Sequence, residues 1–427
     1  MAGIVFIFVL GYLYPVIGTL GKPLLLGSGM LLLIDLLLLF RPDSPIHAQR
    51  KTPERLSNGD PNLITILVQN FYPFKSTLQI IDEQPYQFQI RDSGTDLTLN
   101  SESQEKITYT LHPTERGDYT FGALNVYAGS PIGLVQRRFQ FEEQQTIPVY
   151  PSFIQMHKFE LFAISDRLTE VGIKKIRRIG HTLEFDQIRE YVRGDDIRSI
   201  NWKATARHND LMVNQFQDER SQQVYSAIDM GRTMKMPFDE LSLLDYAINT
   251  SLVISNIAIR KHDKAGLITF SNKEGPKVPA QTKKTHIYRI QETLYNLETD
   301  FKETDFSRLY LSLKHHVRQR SLILLYTNFE SLSAMHRHLP YLKKIASEHL
   351  LVTIFFQNTE LERVLTSQAK TEEEIYRKVI AEKFFFEKRS IVQELSQLGI
   401  QTILTPPNEL SISTINKYLE LKARGLI

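Results

Sequence analysis

The chain has 427 residues, with 51 Lys and Arg against 48 Asp and Glu, a formal net charge of +3 and no cysteine. That length exceeds what one compact core uses, so two or three domains are expected. The near-even charge gives no electrostatic footprint for nucleic acid, and the missing cysteine excludes disulfides, thiolate chemistry and Cys-ligated metal.

Residues 1–40 are the most apolar part. Ala2 to Leu20 carries no charge, Gly21-Lys22-Pro23 punctuates, and Leu24 to Phe40 is apolar except for Ser28 and Asp35. Both runs approach the length that crosses a bilayer. They predict a transmembrane helical hairpin turning at Gly21–Pro23. A signal peptide fits less well, because no basic stretch precedes the first run and no small-residue cleavage site precedes the second. The turn offers only Lys22, whereas Arg41, Arg50, Lys51 and Arg55 follow the second run. This bias places both chain ends on the cytoplasmic side of a multi-pass protein embedded in membrane lipid. Asp35 is costly against lipid and is expected to face the first helix or a partner.

Residues 41–150 read as an all-β, sandwich-like domain. Strand patterns at 63–70, 76–81, 86–90, 96–99, 105–111, 118–127 and 138–149 alternate with turn signals such as Asp92-Ser93-Gly94 and Gly129-Ser130-Pro131. Arg116-Gly117-Asp118-Tyr119 is read as a turn. Residues 151–220 form a connector. It holds a candidate helix at 159–168, a basic loop with Lys174, Lys175, Arg177 and Arg178, and a dense mixture of acid and base around the sole tryptophan, Trp202. Asp195 or Asp196 is expected to cap a short helix and to pair with Arg198 or Arg207. Ile200, Trp202 and Ala206 would dock the segment as a structural clamp, and Leu211–Phe216 reads as a strand.

Residues 221–427 alternate apolar strands with amphipathic helices. Strands are predicted at 224–228, 265–270, 321–326, 350–356 and 400–404, and helices at 238–260, 284–297, 306–317, 331–347, 372–398 and 410–423. Such alternation predicts an α/β domain with a mostly parallel sheet covered on both faces. Ligands in such folds bind at the carboxyl ends of strands. Three loops therefore matter: Asp229 to Thr233, Glu303-Thr304-Asp305 just before a helix, and Thr327 to Glu330 at the end of a strand. Asp229, Thr233, Thr304 and Asn328 can converge there on one oxygen-lined site, or cap helices and turns instead. No phosphate-binding glycine motif and no nucleophile elbow is present. His315-His316 and His336-x-His338 do not share a helix face and read as surface residues.

One long motif carries a family resemblance. Arg189-Glu190-Tyr191, Gly194-Asp195-Asp196, Arg198, Ile200, Trp202-Lys203 and Ala206-Arg207 resemble the signature of the bacterial family called domain of unknown function 58. Tyr109, Leu111, Pro113, Arg116-Gly117 and Tyr119 match a further segment of that family, and Pro131, Gly133 and Leu134 match its Pro-x-Gly-Leu element. The C-terminal part resembles a von Willebrand factor A domain. In that resemblance Asp229, Gly231, Thr233, Thr304 and Asn328 fall on the metal-ion-dependent adhesion site. Gly231 stands where a serine is expected and Asn328 where an aspartate is. Mg2+ is the cation implied, and the lost hydroxyl and carboxylate point instead to a metal-free docking surface. The resemblance places the chain in a bacterial inner membrane beside MoxR-like AAA+ ATPases. It implies a membrane-anchored interaction scaffold or adaptor, without catalysis of its own, for such an ATPase or its client. The alternative is a metal-dependent hydrolase built on the Asp229 loop.

Overall fold

The computed structural model describes residues 15–90, 94–141, 144–164, 184–192, 195, 197–208, 210–217, 221–299, 301–366 and 371–427. The chain divides into two compact units, Met1–Val149 and Tyr150–Ile427.

The first unit begins with one continuous helix, α1 (Pro15–Phe40), that runs through Gly21-Lys22-Pro23. The expected hairpin turn is therefore helical. Among the described residues one segment, Gly21–Phe40, is long and apolar enough to cross a membrane. The hairpin and the multi-pass topology are corrected accordingly, and the cytoplasmic assignment falls with them, because it required both ends of a hairpin on one side. The remainder of the first predicted run, residues 1–14, lies outside the described residues. A proline inside a helix removes one backbone hydrogen bond, at about 3 kcal/mol. A turn in an apolar medium would leave several backbone groups unpaired at several kcal/mol each, so continuing the helix costs less.

Among the described residues ten strands follow: β1 (Ile46–Lys51), β2 (Leu56–Ser57), β3 (Asn62–Asn70), β4 (Ser76–Asp82), β5 (Gly94–Leu99), β6 (Ser103–Leu111), β7 (Gly117–Phe121), β8 (Leu124–Gly129), β9 (Gln136–Phe141) and β10 (Gln145–Tyr150). They form the sheets β1-β3-β6, β2-β10-β7 and β5-β4-β8-β9. Alternate residues of β1, β3 and β4 point inward, and Ile46, Ala48, Ile66, Val68, Leu78 and Ile80 share a core with Leu124, Val126 and Ala128 of β8. Two predicted strands are each two. The 118–127 run breaks at Gly122, whose missing side chain admits Glu83: a Cβ there would lie 2.4 Å from Glu83 Oε2. The 138–149 run breaks between β9 and β10. The 86–90 run is a single 3₁₀ turn at Tyr86–Phe88. In the Arg116–Tyr119 segment, Gly117 takes φ +126° and opens β7. The buried Tyr119 hydroxyl donates to the Glu115 carbonyl at 3.0 Å. That bond ties the turn to its own strand, as in the tyrosine corner of β-sandwiches.

Asp35 finds its described partners within the β-rich module. It is fully buried against the loop between β8 and β9. Ser130 Oγ donates to one carboxylate oxygen, and the Leu134 and Val135 amides donate to the other at 2.8 Å each.

The second unit opens with α2 (Phe153–Ile164). A hairpin of β11 (Glu184–Glu190) and β12 (Met212–Gln217) follows, enclosing α3 (Trp202–His208). The basic loop at 174–178 lies outside the described residues. Then come β13 (Gln223–Asp229), β14 (Pro237–Phe238), β15 (Leu241–Ser242), α4 (Leu243–Arg260), β16 (Lys264–Phe270), β17 (Glu274–Gln281), α5 (His286–Tyr295), α6 (Phe306–His316), β18 (Leu322–Tyr326), α7 (Leu332–Glu348), β19 (Leu350–Phe356), α8 (Thr359–Thr366), α9 (Glu372–Gln397), β20 (Gln401–Thr405) and α10 (Leu410–Ala423). A six-stranded sheet of order β17-β16-β13-β18-β19-β20 is parallel except for β17. The sequence pattern does not reveal β17, because its Pro276 and Pro279 argue against a strand. An edge position tolerates both. One face is covered by α4, α5 and α10, the other by α6, α7 and α9. α4 is buried almost all round and begins with a capping box, Ser242 Oγ accepting from the Asp245 amide at 3.2 Å.

Candidate functional site

Asp229 ends β13, the strand at which the sheet's connections change direction. The chain goes from β13 to β16 and β17 on one side, then crosses to β18, β19 and β20 on the other. The loop after β13 leads to α4 on one face, and the loop after β18 to α7 on the opposite face. Loops diverging in this way open a crevice at the strand ends. Asp229, Thr233, Thr304, Thr327 and Asn328 line a small cavity of about 60 Å³ there.

Of the predicted residues, Asp229, Gly231 and Thr304 come together in a closed hydrogen-bond cluster, while Thr233 and Asn328 line the cavity without joining it. Asp229 is 2% exposed. Its Oδ1 accepts from Thr304 Oγ1 at 2.5 Å and from the Gly231 amide at 2.8 Å, and its Oδ2 accepts from Thr327 Oγ1 at 2.7 Å. Thr327 lies on the third predicted loop but is not among the residues expected to converge, since a single hydroxyl directly after an apolar strand carries no motif of its own. Gly231 has an ordinary extended backbone with φ −70°. Space explains it: a Cβ there would stand 2.0 Å from Thr304 Oγ1 and 3.0 Å from Asp229 Oδ1. The Thr304 hydroxyl thus occupies the room a serine at 231 would need. Thr233 lines the cavity from the 3₁₀ turn Arg232–Lys235. Burial pushes the Asp229 carboxyl above its usual pKa, while the bonds from Thr304, Gly231 and Thr327 oppose the shift.

Asn328 looks the other way. Its Oδ1 accepts from the ammonium of Lys388, on α9. Burial lowers the Lys388 pKa to about 8, with Glu330 acting in opposition. Lys388 was absent from the sequence reading because it lies 60 residues from Asn328 within a charged helix. The cluster does not fit Mg2+. A hard cation takes at least six oxygens and favours carboxylates. Here one carboxylate is engaged by three donors, and the amide oxygen opposite is held by a resident positive charge.

A testable consequence follows for Lys388. Its folded pKa is about 8 against an ordinary 10.5, so the charged form costs the folded state up to about 3 kcal/mol. Below pH 8 both states are charged and the folded one bears that cost. Between 8 and 10.5 the unfolded state binds the extra proton, so this residue's contribution to stability rises with pH. Lys388→Met is therefore expected to be more stable than the parent at neutral pH by about 1–3 kcal/mol, after losing the Asn328 bond. The difference should shrink as pH rises towards 10.5 in denaturant titrations. A gap independent of pH would refute the assignment.

Beside this cluster lies a larger cavity of about 570 Å³ at the carboxyl ends of β18, β19 and β20. Phe238, Phe356, Leu361, Phe384 and Phe385 give it apolar walls, and Lys388 and Arg389 give it positive charge. The helix α9 continues past it with Ile375, Tyr376, Val379, Ile380 and Phe384 all exposed. They follow i, i+4 spacing, so α9 presents an uncovered apolar face.

The signature segment is a separate local structure. Arg189 makes a two-pronged bond to Asp195, at 2.8 and 2.7 Å, and Asp195 Oδ2 also accepts from the Val192 amide at 2.9 Å. Arg189, which the sequence did not single out for this role, is thus a partner of Asp195. The segment after Asp195 and Asp196 is a 3₁₀ turn, Ile197–Ser199, and Asn201 caps α3, its Oδ1 accepting from the Ala204 amide at 3.0 Å. Gly194 and Asp196 lie outside the described residues, as does the side chain of Arg198. Tyr191 is half-buried, and Glu190, Lys203 and Arg207 are exposed. Trp202 is 68% exposed and Ala206 is exposed, so neither clamps this segment to a core. The residue of α3 that does turn inward is Ala204.

Residues 187–365 match the model of the family described as "Protein of unknown function DUF58", and that stretch is a DUF58 family domain reaching from β11 to α8. The uncharacterized protein YeaD of Bacillus subtilis (strain 168) is 29% identical over 125 residues, which are 29% of this chain and 30% of that protein. The match thus spans less than a third of that relative's length. Among solved structures, the hypothetical protein BatB from Bacteroides thetaiotaomicron aligns over 48% of this chain and 100% of its own, at 13% identity and a TM-score of 0.33. PapD-like domain 7 of human CEP192 aligns over 25% of this chain and 87% of its own, at 13% identity and a TM-score of 0.20.

Proposed function

We propose that this chain is a membrane-anchored interaction module that offers the strand-end surface of its second unit to a protein partner. The observation that carries this reading is the apolar cavity at the ends of β18, β19 and β20, continued by the uncovered face of α9. An apolar surface of that kind is a common mark of protein docking. Lys388 and Arg389 at the cavity favour an apolar segment that also bears a carboxylate, by charge complementarity. The resemblance to von Willebrand factor A domains, and to a family found beside MoxR-like AAA+ ATPases, points to such an ATPase or its client as the source of that segment. The reading is of a chain without catalysis of its own. Its support is that the Asp229 carboxylate is buried and engaged by three donors of the protein. The hydrolase alternative needs a bound metal, which the donor set does not suit.

The test uses the full chain in lipid nanodiscs and a purified MoxR-like AAA+ ATPase from the same organism. Phe384→Asp and Lys388→Glu are expected to weaken binding at least tenfold, the loss of about 1.4 kcal/mol or more that one buried contact supplies. Arg377→Glu, on the same helix but paired with Glu373 at 2.6 Å on the surface, should bind like the parent. Equal binding by all three variants would discard this surface.

A further inference from the structure

We infer that the β8–β9 loop, Pro131-Ile132-Gly133-Leu134, is inserted into the membrane beside α1 and contacts the acyl region of the bilayer. The inference rests on the reading that α1 spans the membrane. Its basis is the bond between a transmembrane residue and a β-domain loop. Asp35 lies five residues before Phe40 in the candidate span, about 7 Å along the helix axis. One turn later the helix end is marked by groups suited to a membrane surface. Arg137 donates to the Leu39 and Pro42 carbonyls at 2.9 and 3.0 Å and stacks over Phe40, and the Tyr72 hydroxyl donates to Leu39 O at 2.7 Å. Basic and aromatic side chains collect at that level. The loop held by Asp35 is therefore on the lipid side of it.

The loop is also built for such a place. Non-helical backbone at membrane depth must have its amides satisfied within the protein. Pro131 has no N–H. The Ile132 and Gly133 amides donate to Ser130 Oγ at 3.0 and 3.4 Å, and those of Leu134 and Val135 to Asp35 Oδ2 at 2.8 Å each. Every amide from 131 to 135 is thus either absent or paired. All four residues from 131 to 134 are exposed and none is polar, with Ile132 37% and Leu134 55% exposed. An apolar tip with a satisfied backbone, fixed to a spanning helix, is matched by lipid. The carboxylate of Asp35 explains itself in the same way, since three donors meet it inside the protein instead of leaving it against acyl chains.

The parent has no cysteine, so single-cysteine variants of the full chain can carry an environment-sensitive fluorophore in phosphatidylcholine–phosphatidylglycerol vesicles. Leu33→Cys reports α1 and Leu134→Cys the loop. Glu115→Cys reports the far end of β6, whose opposite end, Ser103, pairs with Asn70 near the docked helix. Probes at 33 and 134 are expected to shift to the blue, to lose intensity with spin-labelled lipid and to resist aqueous iodide, while the probe at 115 behaves oppositely. Adding Asp35→Leu should move the probe at 134 towards water and leave that at 33 unchanged. A water-like probe at 134 with a lipid-quenched probe at 33 overturns the loop insertion alone. A probe at 33 that lipid does not quench overturns the spanning reading and the insertion with it. A blue-shifted probe at 134 that neither lipid nor iodide quenches means that protein, such as a second copy, covers the loop, and also overturns the inference.

Discussion

Asp229→Ala is expected to destabilise the second unit by about 3–5 kcal/mol, because three buried donors lose their acceptor together. Each buried donor without a partner costs about 1–3 kcal/mol, and the three here are the Gly231 amide and the hydroxyls of Thr304 and Thr327. Asp229→Asn should cost no more than about 1 kcal/mol. Its carbonyl oxygen can still accept from Gly231 and Thr304, and its amide can donate to Thr327, whose hydroxyl reverses direction freely. The contrast separates a hydrogen-bond cluster from a metal site, where removing the charge would do most of the damage. It also carries a pH signature. Burial raises the folded pKa of Asp229, so the folded state holds the proton more tightly than the unfolded state. The associated stability is fully present below the ordinary aspartate pKa and is lost as pH rises through the folded value. The asparagine variant has no such loss and should gain on the parent as pH climbs through that window. Hydrogen exchange of the β13 amides in the full chain measures both effects, and an asparagine variant as unstable as the alanine one would refute the account.

Arg50→Ala is the second large expectation, at about 3–5 kcal/mol in the first unit. Arg50 and Asp82 are both buried. Arg50 Nε donates to both carboxylate oxygens, at 3.0 and 3.1 Å, its Nη2 donates to the Gly122 carbonyl at 2.8 Å, and the Tyr109 hydroxyl donates to Asp82 Oδ2 at 2.5 Å. Truncating the arginine leaves the carboxylate charged, buried and short of partners. Asp82→Asn in the same chain should recover part of the loss by removing the stranded charge. Arg50→Lys should remain damaging, since a single ammonium cannot reproduce the planar fork. Protection of the β1 and β4 amides against exchange reports the outcome, and full protection in Arg50→Ala would refute the role given to the pair.

Within the second unit the strands and most helices were legible because burial leaves a periodic trace. Leu322 to Tyr326 is a continuous apolar run, Leu350 to Phe356 is one broken only by Thr353, and α4, α6 and α7 repeat apolar residues at helical spacing. The elements that escaped have weak traces: β17 carries two prolines, α8 is eight residues long, and β11 has four charged residues against two apolar ones. Trp202 misled for a related reason. A lone tryptophan among charges is a usual anchor for burial, yet 68% of it faces solvent, because its neighbour Ala204 is the residue that turns inward.

By itself the sequence carried the pattern of an apolar start, a strand-rich stretch and an alternation of strands and helices, and it placed Asp229 and Asn328 at strand ends and Thr304 just before a helix. Those properties depend on local periodicity, which is written in consecutive residues. Only the tertiary structure decided what the polar groups do. It joined Asp35 to a loop about a hundred residues on, turned Thr327 and Thr304 onto Asp229, and set Lys388 against Asn328. It also carried the helix through Gly21-Lys22-Pro23. A hydrogen bond is fixed by distance and direction between atoms brought together by the whole fold, and residue spacing along the chain does not encode those quantities.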